Sequence, residues 1–224
     1  MSIVRTNIWA HDMYDVLMRL PFVGWVLFAA TIQLAGLSQS AAPMDLDLAC
    51  LIQIAMRLST IAFMLLAALA VILRSPPSGK ANGLEPRISA LVGTFLVYAV
   101  AMSPRRDLSL SGEIVSTLLI MIGNVGAVIA LSQLGRSFSI MAESRQLVTT
   151  GPYRCVRHPL YLAEEIATIG VFLQFASLQA ALVLAAHIAF QLRRMRNEEL
   201  VLTASFHEYA TYQRTTARLI PGVY

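Results

Sequence analysis

Charge is scarce in this chain. Asp, Glu, Lys and Arg make up 13% of its 224 residues, where soluble globular proteins carry about 25%. So few charges cannot coat a water-soluble fold, and the 57% of hydrophobic residues, with mean hydropathy +0.65, fall in long runs between short polar stretches. Cysteine is almost missing: Cys50 lies in an apolar run and Cys155 in a basic loop, so no disulfide framework is legible. His11, His158, His187 and His207 have no ligand spacing with one another or with a cysteine, and no metal site is expected. There is no Walker loop and no glycine-rich strand-to-helix turn for a dinucleotide. The net charge of +4 and pI of about 9.4 would suit nucleic acid, but the basic residues are placed as membrane topology markers, and no nucleic-acid partner is expected.

What is present is a series of apolar stretches: Leu20 to Leu37, Leu48 to Leu73, Ile88 to Met102, Ile114 to Leu134, and Tyr161 to Gln191. The first is too long for a secretory signal core of roughly 7–15 residues and is read as an uncleaved helix. As one helix the last stretch would be roughly 46 Å, well beyond a hydrocarbon core of about 30 Å. Ser177 and Gln179 interrupt it, which predicts a helical hairpin and brings the chain after Gln191 back to the side it left. The expected architecture is all-α, a polytopic bundle of about five to six transmembrane helices with a C-terminal hairpin and a cytoplasmic amphipathic C-terminal helix. Positive-inside counting puts both termini in the cytoplasm, with fourteen Lys and Arg inside, only Arg105 and Arg106 outside, and Arg57 within the second span. Pro76 to Gly83 reads as a flexible cytoplasmic turn.

Two cytoplasmic segments exceed what connectors require. In Gly151-Pro152-Tyr153-Arg154-Cys155-Val156-Arg157-His158-Pro159-Leu160-Tyr161, Pro159 restricts His158 and suits the first turn of a helix. Arg157 and His158 then stand at a helix N-terminus, a site for a carboxylate or phosphate, although a basic loop on anionic lipid heads explains the arginines equally well. From Gln191 onward, Leu200, Thr203, Phe206 and Ala210 recur at helical spacing, and Glu198 and Glu199 follow Arg193, Arg194 and Arg196 by one to two turns. The hairpin is what returns these carboxylates to the side of His158.

Inside the spans, Glu164 and Glu165 lie one turn into an apolar stretch on the face of Tyr161. They either line a cavity or sit at the interface with Arg154 or Arg157 as partner. Arg57 is too deep to snorkel and is expected to pair with an acid or line a polar cavity. His187 is expected to bond a neighbouring helix, and Asn124, between Gly123 and Gly126, marks close helix packing.

The Gly-Pro-Tyr-Arg-x-Val-Arg-His-Pro-Leu-Tyr stretch resembles the isoprenylcysteine carboxyl methyltransferase family of integral membrane enzymes, relatives of the phospholipid N-methyltransferases. Leu134-Gly135-Arg136-x-Phe138, Leu147-Val148-Thr149 and Arg194-Met195-x-x-Glu198-Glu199, followed by Phe206, Tyr209, Tyr212 and Pro221, extend the likeness. The resemblance implies one integral membrane domain over 1–224, with N-terminal helices in 1–112 and a catalytic core in 113–224. It implies S-adenosylmethionine-dependent methyl transfer to a lipophilic acceptor drawn from the bilayer. Gly151, Tyr153, Val156, Arg157, His158, Tyr161, Glu198 and Glu199 would hold the cofactor; Glu164, Glu165 and Arg194 the acceptor; and Arg194 and Glu199 would be catalytic. An isoprenylcysteine-type carboxylate is the leading acceptor. A phospholipid, amine or thiol acceptor, an NADPH-dependent sterol-type reductase and a non-catalytic scaffold are the alternatives.

Overall fold

The computed structural model describes residues 8–40 and 47–222. Arg5 and most of the connector after the first span lie outside the described residues. The chain runs α1 (Ile8–Ser40), α2 (Leu48–Leu73), α3 (Glu85–Phe95) with a 3-10 continuation over Leu96–Met102, α4 (Leu110–Leu134), α5 (Pro159–Gln174), α6 (Leu178–Ser205) and α7 (Tyr209–Thr215). Helix starts follow cap chemistry: Asp47 accepts from Cys50 N (2.7 Å), Ser109 from Gly112 N (3.3 Å) and Ser177 from Ala180 N (3.1 Å).

The chain is an all-helical integral membrane bundle. By length and composition, Arg19–Ser38, Leu48–Leu73 and Leu110–Ser137 are each long and apolar enough to cross a membrane. These helices turn Phe28, Leu65, Leu69 and Ile129 outward, a surface that suits lipid. The expected third span is divided between α3 and its 3-10 continuation. At 16 residues, α5 is about 24 Å long, short of a full hydrocarbon core.

The predicted hairpin is present: α5 ends at Gln174 and α6 begins at Leu178. Its tip is tied to the preceding loop by Arg106 N donating to Gln174 O (2.8 Å). Beyond the turn, α6 runs 28 residues without Pro or Gly. The amphipathic C-terminal helix is therefore the second half of α6, and only α7 is separate. Its buried face also differs from the expected one: Leu200 is 69% exposed, while Arg194, Met195, Asn197 and Glu199 are buried. The reason is polar bonding that turns this face inward. Asn197 Nδ2 donates to Glu85 Oε2 and Ser89 Oγ on α3, both at 3.0 Å. The proline-rich turn is likewise pinned, because β1 (Gly79–Lys80) pairs antiparallel with β2 (Glu143–Ser144).

The tightest helix contact joins α4 to α5. A Cβ at Gly123 would stand 2.5 Å from Ala167 N and 2.6 Å from Ala163 O, and one at Gly170 would stand 2.7 Å from Ser116 O. Ser116 Oγ donates to Gly170 O (2.8 Å) across the same interface. Close approach of small residues substitutes here for the hydrophobic effect, which lipid does not supply. Gly123→Ala should therefore lower stability by about 1–3 kcal/mol through overpacking, whereas Gly24→Ala, with no atom within 4 Å of the added carbon, should be neutral or stabilising. Thermal melts of the two variants in detergent check the contrast.

Candidate functional site

The site begins with a loop that sequence chemistry shapes tightly. Gly151 has φ +58° and opens a 3-10 turn over Gly151–Arg154, a conformation that disfavours other residues. His158 is the N-cap of α5 and Pro159 its first residue, as the sequence predicts. The chain's last described segment lies alongside: Val156 bridges Ala217, Arg157 N donates to Ala217 O (2.8 Å), and His158 N to Arg218 O (3.1 Å). Tyr212 Oη reaches Tyr153 O (2.6 Å) and ties α7 to the turn.

Glu199 of α6 is the centre of this assembly. Its Oε1 accepts from Arg157 Nε (2.8 Å) and lies 3.2 Å from His158 Nε2, while its Oε2 accepts from Arg218 (2.5 Å) and Gln213 (3.5 Å). Arg157 Nη1 also donates to the carbonyls of Gln213 (2.9 Å) and Thr216. Burial alone would raise the Glu199 pKa, but the bonds from His158, Arg218 and Arg157 outweigh it and hold the carboxyl at about 2.

A solvent-open cleft of about 750 Å³ lies beside this network, walled by the loop before α5 and by α6 and α7. Tyr153, Arg157, His158, Tyr161 and Glu198 all line it, as do Tyr209 and Tyr212. The His158 and Tyr161 rings stack at 5.4 Å between centroids. Burial raises the pKa of Tyr153 and Tyr209 and carries Tyr212 to about 12, against the pull of Arg157, so all three hydroxyls are neutral at pH 7. The Tyr153 and Tyr209 hydroxyls are buried with no hydrogen-bond partner among the described residues.

A second cavity, about 1830 Å³ including its open mouth, lies among α1 to α6 at the level of the apolar helices. Glu164, His187 and Arg194 line one part of it. Tyr161, Glu198 and Arg194 divide the two spaces. Tyr161 Oη donates to Glu198 Oε1, Arg194 Nε lies 3.4 Å from the same oxygen, and the Arg194 guanidinium lies 4.8 Å from the centroid of the Tyr161 ring. Phe138 lines both spaces.

The structure thus brings most of the candidate residues together but sorts them. Gly151 and Val156 shape the loop without lining the cleft, and Glu199 lines neither space. Glu164 and Glu165 do not meet Arg154 or Arg157: Glu164 accepts from Gln191 Nε2 (3.1 Å), and Glu165 Oε1 lies 3.2 Å from His187 Nε2. The physical reason is the hairpin, which sets α6 against that face of α5. His187 does reach a neighbouring helix, and Arg57 lines the second cavity. Arg218 and Gln213 escaped the sequence reading because no spacing relates them to Glu199.

Comparison with known proteins agrees with the motifs. The profile of the isoprenylcysteine carboxyl methyltransferase family matches residues 116–204. Among curated proteins, the chain is 33% identical over 159 residues to the cobalt-zinc-cadmium resistance protein CzcN of Cupriavidus metallidurans, covering 66% of this chain and 71% of that protein. It is 30% identical over 112 residues to the nickel-cobalt-cadmium resistance protein NccN of Alcaligenes xylosoxydans xylosoxydans, covering 48% and 52%. A solved structure of the eukaryotic intramembrane Ras methyltransferase aligns over 97% of this chain and 88% of its own, with 18% identity and a TM-score of 0.49.

The Glu199 network makes a pH prediction. Its carboxyl sits below the ordinary value of 4.5 when folded, so its stabilisation is fully present above about pH 4.5 and is lost as pH falls toward 2. Glu199→Gln should cost about 3–5 kcal/mol near neutral pH, because Arg157 and Arg218 lose their carboxylate, and should flatten the acid limb. Chemical denaturation between pH 2.5 and 7 reads both effects.

Proposed function

Because the chain belongs to the isoprenylcysteine carboxyl methyltransferase family of membrane methyltransferases, we propose that it moves a methyl group from S-adenosylmethionine to a lipophilic acceptor at the cytoplasmic membrane face. The carboxylate of an isoprenylcysteine-type lipid is the leading acceptor. The observation that carries this reading is the shared wall: a water-open cleft and a cavity at the level of the apolar helices meet at Tyr161, Glu198 and Arg194. Such a pair of spaces suits one soluble and one lipid-borne reactant.

The cleft residues fit the cofactor chemically. The unpartnered Tyr153 and Tyr209 hydroxyls offer donors to purine or sugar acceptors. Glu198 offers a carboxylate to an ammonium or a ribose. His158 and the free N–H groups of the first turn of α5 suit the amino-acid carboxylate. Arg157 spends Nε and Nη1 on Glu199, Gln213 and Thr216, which leaves Nη2 for that carboxylate. Glu199 itself is a positioning residue, holding Arg157 and His158 at the cleft.

When bound, S-adenosylmethionine supplies an already activated sulfonium methyl, so the protein's task is alignment and exclusion of water. Tyr161 and Arg194 stand in the wall between the two spaces, on either side of which acceptor and methyl would approach each other. A carboxylate acceptor arrives without a proton to lose. For an amine or thiol acceptor, Glu164 is the cavity-side carboxylate able to take the proton. Among the described residues no three His, Cys, Asp or Glu cluster as metal ligands. If the chain shares the part in metal resistance that the relatives' names carry, methylation of a membrane component is the route this proposal supplies.

Calorimetric titration of the detergent-purified protein tests the proposal. S-adenosylmethionine and S-adenosylhomocysteine should bind and NADPH should not. Glu198→Ala should weaken S-adenosylmethionine at least about tenfold, the loss expected for one charge-assisted bond. Binding of NADPH alone, or of none of the three, would overturn it.

A further inference from the structure

The intramembrane cavity has a part that methyl transfer does not use. Along α5, Glu164 and Gln174 both line it and are ten residues apart, so it extends about 15 Å from the reactive wall toward the hairpin tip. Toward the tip the lining becomes polar again, with Arg57 and Gln53 of α2, Gln33 of α1, and Arg105 in the loop bonded to that tip.

Arg57 is the tenth residue of a 26-residue apolar helix, about 14 Å from its nearer end. A guanidinium at that depth is expensive unless it is paired or faces a polar space. Among the described residues no carboxylate lies within ion-pair distance of it. Its bonded partner is a neutral amide, Gln33 Oε1 at 3.3 Å, and its Nε is buried with no hydrogen bond. The guanidinium also occupies the space beside Gly36, where a Cβ would meet Nη1 at 2.1 Å, so α1 is shaped to admit it. The cavity lining includes three arginines, Arg57, Arg105 and Arg194, against one carboxylate, Glu164, at the reactive end.

We infer that this cavity binds an amphiphile bearing an anionic group, carboxylate or phosphate, seated on Arg57 away from the reactive wall. Taking that amphiphile as the methyl acceptor rests on the function proposed above, and selects, over a plain isoprenylcysteine whose one carboxylate reacts, an acceptor lipid that carries a second, non-reacting anion. Between the two ends, Phe63, Met64, Ile120 and Ala127 face the cavity and Asn124 donates to Thr60 Oγ1 (2.7 Å), so this stretch takes the intervening chain. The anion on Arg57 fixes how far along the cavity the reacting end sits.

Trp25 lines the same cavity, and Trp9 is the only other tryptophan. In a Trp9→Phe background, quenching of Trp25 by 9,10-dibromostearate and by its uncharged alcohol reports occupancy without any turnover. Dibromostearate should bind at least tenfold more tightly than the alcohol at pH 8. Arg57→Gln should erase that preference while leaving alcohol binding intact, and Arg57→Lys should keep part of it. Equal affinity for the two probes in the Arg57 protein, or a preference that survives Arg57→Gln, would overturn the inference. The first comparison needs no cavity variant and so is independent of how Arg57→Gln folds. S-adenosylmethionine titration of the same samples separates the two readings: no cofactor binding together with a retained anion preference removes methyl transfer and leaves the Arg57 site standing.

Discussion

The arrangement of the end of the bundle that holds the cleft depends on one carboxylate. Glu199 accepts from Arg157 and Arg218, lies against His158, and so joins α6, the loop before α5 and the chain's last described segment at a single buried point. These pieces bury some apolar side chains, among them Val156, Val201 and Tyr209, but Glu199 is the point at which all three are bonded together. Charge-assisted hydrogen bonds of this kind are directional. They fix His158 in angle as well as in position, which packing of short loops could not do. The cost is that each cation around Glu199 is stranded if the carboxylate is removed.

Because Glu199 is held from below, its neighbour Glu198 is free to face the cleft. The helix turns by about 100° per residue, so adjacent glutamates point to different surroundings, while Arg194 and Glu198, four apart, share a face. That face carries the wall between the two spaces. Tyr161 from α5 and Arg194 from α6 meet over Glu198, and the hairpin is the element that brings these two helices into register.

Much of this was legible in the residues. The Gly-Pro turn, the His158 cap and the Pro159 start come from backbone restrictions that act within a few residues, and α2 keeps its apolar boundaries because Asp47 caps its start. The hairpin followed from the length of the last apolar stretch together with its interruption at Ser177 and Gln179. Other features were set by partners distant in sequence. The buried face of α6 is polar because Glu85 and Ser89, over a hundred residues away, supply acceptors for Asn197, and apolar periodicity points to the opposite side and to Leu200 with it. Arg218 and Gln213 carry no local pattern that ties them to Glu199. The pairing of β1 with β2 joins two-residue strands, too short to leave a period in the sequence.

The scarcity of charge gives each buried ion a specific task. In a soluble protein, water would screen or replace most such pairs, and a given surface pair would matter little. Here the apolar helices leave few polar groups to share the load, and two contrasting cases stand out. The ions around Glu199 satisfy one another almost completely, and they hold shape. Arg57 is met by a neutral glutamine and an open cavity, so its charge is balanced by nothing in the described fold. Ions that satisfy one another hold a fixed shape around the cleft, and an ion left facing a cavity keeps its bonding capacity for whatever enters that cavity.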